Sequence, residues 1–179
     1  MWGSLALSAC KKHSTASQLQ LVTQVNYADY LSPDANLRFA LTYESRGNRP
    51  GIDVLQQNQG LVLHRLEQID SRGQRTVVAT IDELRRAVAP LRSPEQAEAV
   101  LFASDANLTS TYHDKIASFT DRGDSYVITV FSKKMFGCFS SPISVLAVTF
   151  AMDKATAEYT ITRQEEIAKD TSVIGLCVD

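Results

Sequence analysis

The most apolar part of the chain is residues 124–152, which read DSYVITVFSKKMFGCFSSPISVLAVTFAM. Two segments in it, Tyr126–Phe131 and Ile143–Met152, are rich in β-branched and aromatic residues, which favour extended strands. Their connection is polar and aromatic, and it carries Cys138 and Pro142. We predict that the two segments pair as antiparallel strands and that the core of the protein forms around them.

The residues that follow this stretch are predicted to extend the sheet. Asp153-Lys154-Ala155 reads as a short turn, and Thr156–Arg163 reads as a third strand. Val173–Val178 is short and apolar, and it could add an edge strand that carries Cys177. The last third of the chain is therefore predicted to be an antiparallel meander.

Two helices are predicted before the meander, each from a start signal. Thr80 is followed three residues later by Glu83, the spacing of a capping box, and Pro90 ends that segment. Ser93-Pro94-Glu95-Gln96 is a second signal of this kind, with Pro at the first helical position. The apolar faces consist of Ile81, Leu84, Ala87 and Val88 in the first helix and Ala97, Val100 and Leu101 in the second.

The N-terminal part of the chain is predicted to contribute further strands. Apolar and polar residues alternate over 37–43, which predicts a strand with one solvated face. Leu61–Leu66 and Thr76–Ala79 predict a hairpin whose turn, Asp70–Gly73, ends in a glycine that can take positive φ. The spacing over 19–25 fits a strand and also a helix. Residues 26–34, 44–60 and 104–122 read as loops or irregular connections.

The order of these elements predicts an α+β fold, in which a hairpin and a C-terminal meander form antiparallel sheet and two helices pack on one face. A chain of 179 residues is long enough for one domain, which we place at residues 18–179. With 44% hydrophobic and 21% charged residues the chain is not of the disordered class. Its net charge of −2 argues against a nucleic-acid-binding function. No apolar run is long enough to predict a transmembrane helix.

The N-terminus carries a short motif, Leu7-Ser8-Ala9-Cys10, after a small apolar run. This motif resembles the lipobox of bacterial lipoproteins, a resemblance that implies cleavage before Cys10 and lipidation of its thiol. The apolar run is shorter than a secretory signal, and no basic residue follows Met1. A start codon further upstream would explain both departures, and a chance match remains the alternative.

The lipoprotein resemblance implies that residues 1–17 comprise a signal remnant and a polar tether. Lys11 stands where lipoproteins retained at the inner membrane often carry Asp, so the resemblance implies anchoring at the periplasmic face of the outer membrane. Without the lipid, a periplasmic or secreted location is implied. A triacylated cysteine carries enough acyl chain for stable membrane attachment.

Removal of Cys10 from the count of three cysteines leaves an even pair, Cys138 and Cys177. In an oxidising compartment the two could form a disulfide bond that closes a loop of about 40 residues and stabilises the fold by ~4 kcal/mol. Two buried free thiols are the alternative.

The segment from Ser93 to Glu166 has the order of a helix followed by an antiparallel meander. In this order it resembles cystatin-like and PepSY-like modules, in which a helix packs on an antiparallel sheet. The resemblance is topological, without motif residues. It implies a binding or inhibitory module.

Candidate chemistry is sparse in this sequence. His113 and Asp114 form the best local polar cluster, because a carboxylate can orient an imidazole for general-base catalysis. Adjacent residues rarely make that bond, so a solvated loop is the other interpretation. No metalloprotease, nucleophile-elbow, phosphate-loop or dinucleotide motif is present, and we predict no catalytic residue, metal site or cofactor.

A short basic and aromatic segment between the two core strands is the predicted partner contact. It comprises Lys133, Lys134, Phe136 and Phe139. Exposed aromatic side chains at such a tip would provide binding energy. The alternative is that both phenylalanines are buried and the lysines are solvated.

These observations lead to a first hypothesis of a cell-envelope lipoprotein that acts by binding, as an accessory, inhibitor or immunity-type protein. Its expected partners are the membrane, through the lipid anchor, and another envelope protein. The alternative is an exported hydrolase with a site around His113. A third interpretation is a cytosolic protein with a chance lipobox and three reduced thiols.

Overall fold

A computed structural model of the chain describes residues 16–23, 26–32, 36–44, 63–105, 107–134 and 143–170. The predicted strand at Val173–Val178 and residues 45–60 of the predicted loop at 44–60 lie outside these residues, while Glu44 ends a strand. The described part has an α+β architecture, with antiparallel sheets and helices on one face of the larger sheet. The α+β prediction is confirmed.

The described strands are distributed over three sheets. Strands β1 to β4 are Ser17–Gln18, Arg38–Glu44, Leu63–Ile69 and Arg75–Val77. Strands β5 to β8 are Leu108–Thr109, Thr111–Tyr112, Lys115–Ile116 and Ser118–Asp121, and strands β9 to β11 are Ser125–Lys134, Ile143–Asp153 and Tyr159–Asp170. The helices are α1 (Tyr27–Leu31), α2 (Ile81–Val88) and α3 (Pro94–Ser104).

The larger sheet has the order β1-β8-β9-β10-β11, and β5 also pairs with β9. Its centre is the β9–β10 ladder, which is continuous from Ser125 opposite Asp153 to Lys134 opposite Ser144. On the inner face, Tyr126, Ile128 and Val130 lie opposite Met152, Phe150 and Val148, and all six side chains are buried in the core. The predicted pairing of the two apolar segments is confirmed, and β9 continues beyond Phe131.

Helix α3 lies against β9 and is buried on all sides, because every residue from Gln96 to Ala103 is inaccessible to solvent. The predicted stripe of Ala97, Val100 and Leu101 is buried, but it is only part of the buried surface. Helix α1 covers α3, and the Gln96 side chain donates to the Leu31 carbonyl at 3.2 Å. The prediction of a loop over 26–34 was wrong at this point, because a buried face of Tyr27, Ala28 and Leu31 makes a short helix favourable.

Both capping signals start helices at the predicted residues. The Thr80 hydroxyl accepts from the Glu83 amide at 3.2 Å, and the Glu83 carboxylate accepts from the Thr80 amide at 3.2 Å. The Ser93 hydroxyl accepts from the Gln96 amide at 3.1 Å, whereas the Gln96 side chain accepts from the Arg92 amide at 2.9 Å. In the second box, the Gln96 side chain therefore bonds to Arg92, the residue before the N-cap, and not to the N-cap Ser93 itself.

The second sheet, β2-β3-β4, contributes Phe39 and Leu66 to the same core as the larger sheet, and Val78, directly after β4, joins them. The predicted hairpin is confirmed as β3 and β4, with a turn in which the Asp70 carboxylate accepts from the Arg72 and Gln74 amides at 2.8 Å each. Gly73 has φ +79, the conformation for which glycine was predicted there.

Three other predictions of local structure need correction. Residues 19–23 are not a regular strand or helix, because β1 is only Ser17–Gln18 and the chain then turns toward α1. The connection at 104–122 contains four short strands, β5 to β8, two of which take up positions along β9. The third meander strand begins at Tyr159 and continues to Asp170, because β10 is long enough to pair with all of it.

The capping box of α2 provides a test of the local analysis. Thr80→Ala removes the acceptor for the Glu83 amide, so we expect the free energy of unfolding to fall by about 1 kcal/mol. Thr80→Ser keeps the hydroxyl and should stay within about 0.5 kcal/mol of the wild type. Urea denaturation measures both values, and equal losses in the two variants would contradict the capping assignment.

Candidate functional site

Most of the residues predicted to be functional lie outside the described part of the chain. Cys10, Phe136, Cys138, Phe139 and Cys177 lie outside the described residues. The backbone of Lys133 and Lys134 belongs to β9 and pairs with Val145 and Ser144. The two lysines were predicted to lie in a tip between the core strands. That prediction was wrong, because the β9–β10 ladder continues through both positions.

His113 and Asp114 form the turn between β6 and β7, where Tyr112 pairs with Lys115. Both residues are exposed, and the His113 ring lies edge-on against the Tyr112 ring with centroids 4.3 Å apart. His113 has φ +52, a conformation in which His and Asp are found more often than other residues with a Cβ. Turn geometry therefore accounts for this pair of residues.

The β6–β7 hairpin is an excursion from the strand that pairs with β9. Thr109 lies opposite Phe131 and Ser118 lies opposite Thr129, so residues 110–117 occupy the place opposite the single residue Val130. The Ala117 amide donates to the Ser110 carbonyl at 2.7 Å and closes the base of the hairpin. The excursion therefore projects from the sheet without interrupting the ladder along β9.

The N-terminal segment of the fold is attached to the base of this hairpin. The Leu19 amide donates to the Ala117 carbonyl at 3.1 Å, and the buried Ser110 hydroxyl donates to the Val22 carbonyl at 2.6 Å. The Tyr30 hydroxyl donates to the Leu21 carbonyl at 3.1 Å. Leu21 is thus fixed beside the hairpin from both sides of the segment.

We name this side of the larger sheet the hairpin edge and define it as Leu21, Tyr30, Tyr112, Lys115 and Ile116. Leu21 is 50% exposed and Ile116 is 41% exposed, while the two tyrosines are half-buried. Among the described residues, the only other large hydrophobic side chain this exposed is Ile161, on β11. Two of these three side chains therefore belong to one edge, which makes it the best candidate for a contact surface.

The charged group least compatible with its surroundings is Glu98, in the middle of α3. Its side chain is fully buried, and neither carboxyl oxygen has a hydrogen-bond partner within the described part of the chain. Burial, and secondarily the nearby Glu95, raises the pKa of Glu98 to about 8. The group is therefore protonated at neutral pH. Sequence analysis missed it, although a single Glu within the otherwise apolar run from Ala97 to Ala103 was the available signal.

A second electrostatic cluster joins two turns at one end of the larger sheet. Lys154 Nζ lies 2.6 Å from Asp121 Oδ1 and 4.2 Å from the centroid of the Tyr126 ring. The hydrogen bond from Lys154 lowers the pKa of Asp121, and the same bond raises the pKa of Lys154. The Lys154 carbonyl also accepts from the Leu91 amide at 2.7 Å. This cluster connects the β8–β9 and β10–β11 turns to the segment between the helices, a structural role.

Within the described ranges, no three His, Cys, Asp or Glu side chains come together as a metal site. No helix among the described residues is long and apolar enough to cross a membrane. Comparison with protein-family models, curated proteins and solved structures finds no match for this chain.

The raised pKa of Glu98 predicts how the free energy of unfolding depends on pH. The unfolded chain loses the Glu98 proton near pH 4.5, whereas the folded chain keeps it to about pH 8. Stability from this group is therefore complete below about pH 4.5 and is lost as the pH rises to about 8, with a total change on the order of 5 kcal/mol. Glu98→Gln should remove this slope. Chemical denaturation between pH 5 and 9 measures it, and parallel curves for both proteins would refute the assignment.

Ser110 provides a test of how the N-terminal segment is held. Ser110→Ala leaves the buried Val22 carbonyl without its donor, so we expect a loss of about 1–2 kcal/mol in the free energy of unfolding. Ser118→Ala, at the half-buried start of β8, is the matched control and should cost under about 0.5 kcal/mol. Faster hydrogen exchange at the Leu19 amide should accompany the first change only.

Proposed function

We propose that the protein is a bacterial cell-envelope lipoprotein that acts by binding, anchored through a lipid on Cys10. The observation that carries this proposal is the Leu7-Ser8-Ala9-Cys10 motif, which stands seven residues before the first described strand at Ser17. A short polar segment between the two, from Lys11 to Ala16, suits a tether between an anchor and a folded domain. Lys11 in place of Asp favours the outer membrane.

The chain connectivity supports the proposed disulfide bond between Cys138 and Cys177. Lys134 pairs with Ser144 and Asp170 pairs with Ile143, so the segments that carry the cysteines leave from the same end of the sheet. Strands β9 and β11 flank β10 and are therefore about 10 Å apart. Cys138 comes four residues after Lys134 and Cys177 seven after Asp170, which gives reaches of up to about 14 Å and 24 Å. A bond between the two thiols is within this reach.

The geometry favours binding over catalysis as the activity of the described part. The hydrolase alternative depended on His113, which lies exposed at the turn of the β6–β7 hairpin. A cleft of about 170 Å³ lies at the start of α2 and is lined by Ala79, Thr80, Ile81 and Asp82. It is therefore remote from His113 in the chain and on a different element. The exposed aliphatic side chains of the hairpin edge are the feature that suits a contact surface.

Intact mass tests the anchor and the disulfide bond together. The gene, extended upstream of Met1, is expressed in a Gram-negative host, and the membrane fraction is analysed by mass spectrometry. We expect a chain that begins at Cys10 with the mass of three acyl chains, two hydrogens lighter than the reduced form. Reduction should restore the two hydrogens.

Cys10→Ser is the control for this experiment and should leave an unprocessed chain that carries no acyl chains. A wild-type product that retains Met1 and three free thiols would refute the envelope proposal and leave the cytosolic interpretation.

A further inference from the structure

We propose that the hairpin edge rests on the surface of the bilayer that holds the lipid anchor, so that the folded domain lies against the membrane. This inference depends on the proposed lipidation of Cys10. It adds to the proposed anchor an orientation of the folded domain. Leu21 and Ile116 would enter the interfacial region of the lipid while β11 faces away.

The first argument is the length of chain between the anchor and the fold. Ala16, the first described residue, is the sixth residue after Cys10, so the chain between them spans at most about 20 Å when fully extended. Strand β1 follows directly and pairs with β8, with Ser17 opposite Phe119. The attachment point of the domain therefore stays within about 20 Å of the bilayer surface, and it belongs to the same side of the sheet as the hairpin edge.

The second argument is the chemistry of the hairpin edge. Leu21 and Ile116 present aliphatic side chains that are about half exposed, and Tyr30 and Tyr112 present rings with an apolar body and a polar end. Side chains of these types lie at the boundary between headgroups and acyl chains in interfacial proteins. Lys115, at the hairpin turn, can keep its ammonium group among the headgroups while its stem covers apolar surface.

The third argument is the contrast with the opposite edge of the same sheet. Strand β11 also exposes one isoleucine, Ile161, at 53%. Its other exposed residues include Arg163, Glu165, Glu166 and Lys169, which make ion pairs along the strand. Insertion of these charges into an interface would remove their solvation. Of the two described edges of this sheet, the hairpin edge is the one that combines exposed aliphatic side chains with closeness to the tether.

Tethering strengthens a contact that would be weak for a free domain. The lipid anchor keeps the hairpin edge within a layer about 20 Å thick, so its local concentration relative to the bilayer is high. A few shallowly inserted side chains are then sufficient for a persistent contact.

The tryptophan content of the protein makes depth-dependent fluorescence quenching a clean test. The single Trp lies at position 2, before Cys10, so a chain processed at Cys10 has none. Ile116→Trp and Leu21→Trp place reporters on the hairpin edge, and Ile161→Trp is a matched control on an isoleucine of similar exposure. The processed, lipidated proteins are reconstituted into phosphatidylcholine vesicles whose acyl chains are brominated.

We expect the brominated lipid to remove more than about half of the emission of Ile116→Trp and Leu21→Trp, because interfacial side chains lie about 5–10 Å deep. Ile161→Trp should lose less than about a tenth of its emission, since β11 faces the solvent. Two reporters keep the result interpretable if one substitution alters the hairpin. Equal quenching at all three positions, or none at any of them, would overturn the orientation.

Two further outcomes are distinguished by the same samples. If Ile116→Trp is shielded from aqueous iodide but not quenched by the brominated lipid, a second copy or another protein covers the hairpin edge, and the lipid contact is refuted. Vesicle flotation measures the anchor independently. If the proteins do not float with the vesicles, lipidation itself fails and the proposed function falls with the inference.

Discussion

The fold depends on the continuous antiparallel ladder between β9 and β10. Because opposed residues of the two strands point to the same face, this register places the apolar residues of both strands on one side. Tyr126, Ile128 and Val130 then form a single surface with their partners, and α3 packs on it. A slip of β9 by one residue would turn its apolar side chains outward and bring Thr129 inward, away from the Thr149 hydroxyl that now lies 3.0 Å from its own. The other strands and helices take their positions from this pair of strands.

Helix α3 shows the cost of a helix that is enclosed by its neighbours. With α1 on one side and the sheet on the other, even Gln96 and Glu98 are buried, and the helix has no solvated face for polar residues. Gln96 satisfies its side chain with the Arg92 amide and the Leu31 carbonyl, and so it connects α1 to α3. Glu98 has no such bonds to described residues, and it avoids the larger penalty of a buried charge by remaining protonated. The protein therefore carries a destabilising group at its centre. Proteins usually keep such a group only where another constraint requires it.

Sequence analysis succeeded where a structure is determined by neighbouring residues. The capping boxes at Thr80 and Ser93 depend on atoms within three or four residues, and Gly73 supplies the backbone conformation of its own turn. Sequence analysis failed where contacts between residues distant in the chain determine the structure. Within the polar connection at 104–122, β5 and β8 form where β9 offers ladder positions, and the bond from Ser110 to Val22 joins residues 88 apart in sequence. The hairpin edge was missed for the same reason, since Leu21 and Ile116 have no relation in sequence. His113 and Asp114 were noticed for their chemistry, whereas the geometry of their turn accounts for them.

The two edges of the larger sheet differ in how they are protected from unwanted strand pairing. On β11, Thr162 and Ile167 are extra residues opposite β10, and such bulges together with exposed charges prevent another strand from pairing. On the other side, β1 is only Ser17–Gln18, and the excursion at residues 110–117 separates β5 from β8 along β9. Both devices discourage backbone pairing, but they leave different surfaces. Bulges and ion pairs leave a charged strand, whereas the hairpin leaves aliphatic and tyrosine side chains next to the start of the fold. The hairpin edge therefore suits a contact made through its side chains, without the addition of a strand.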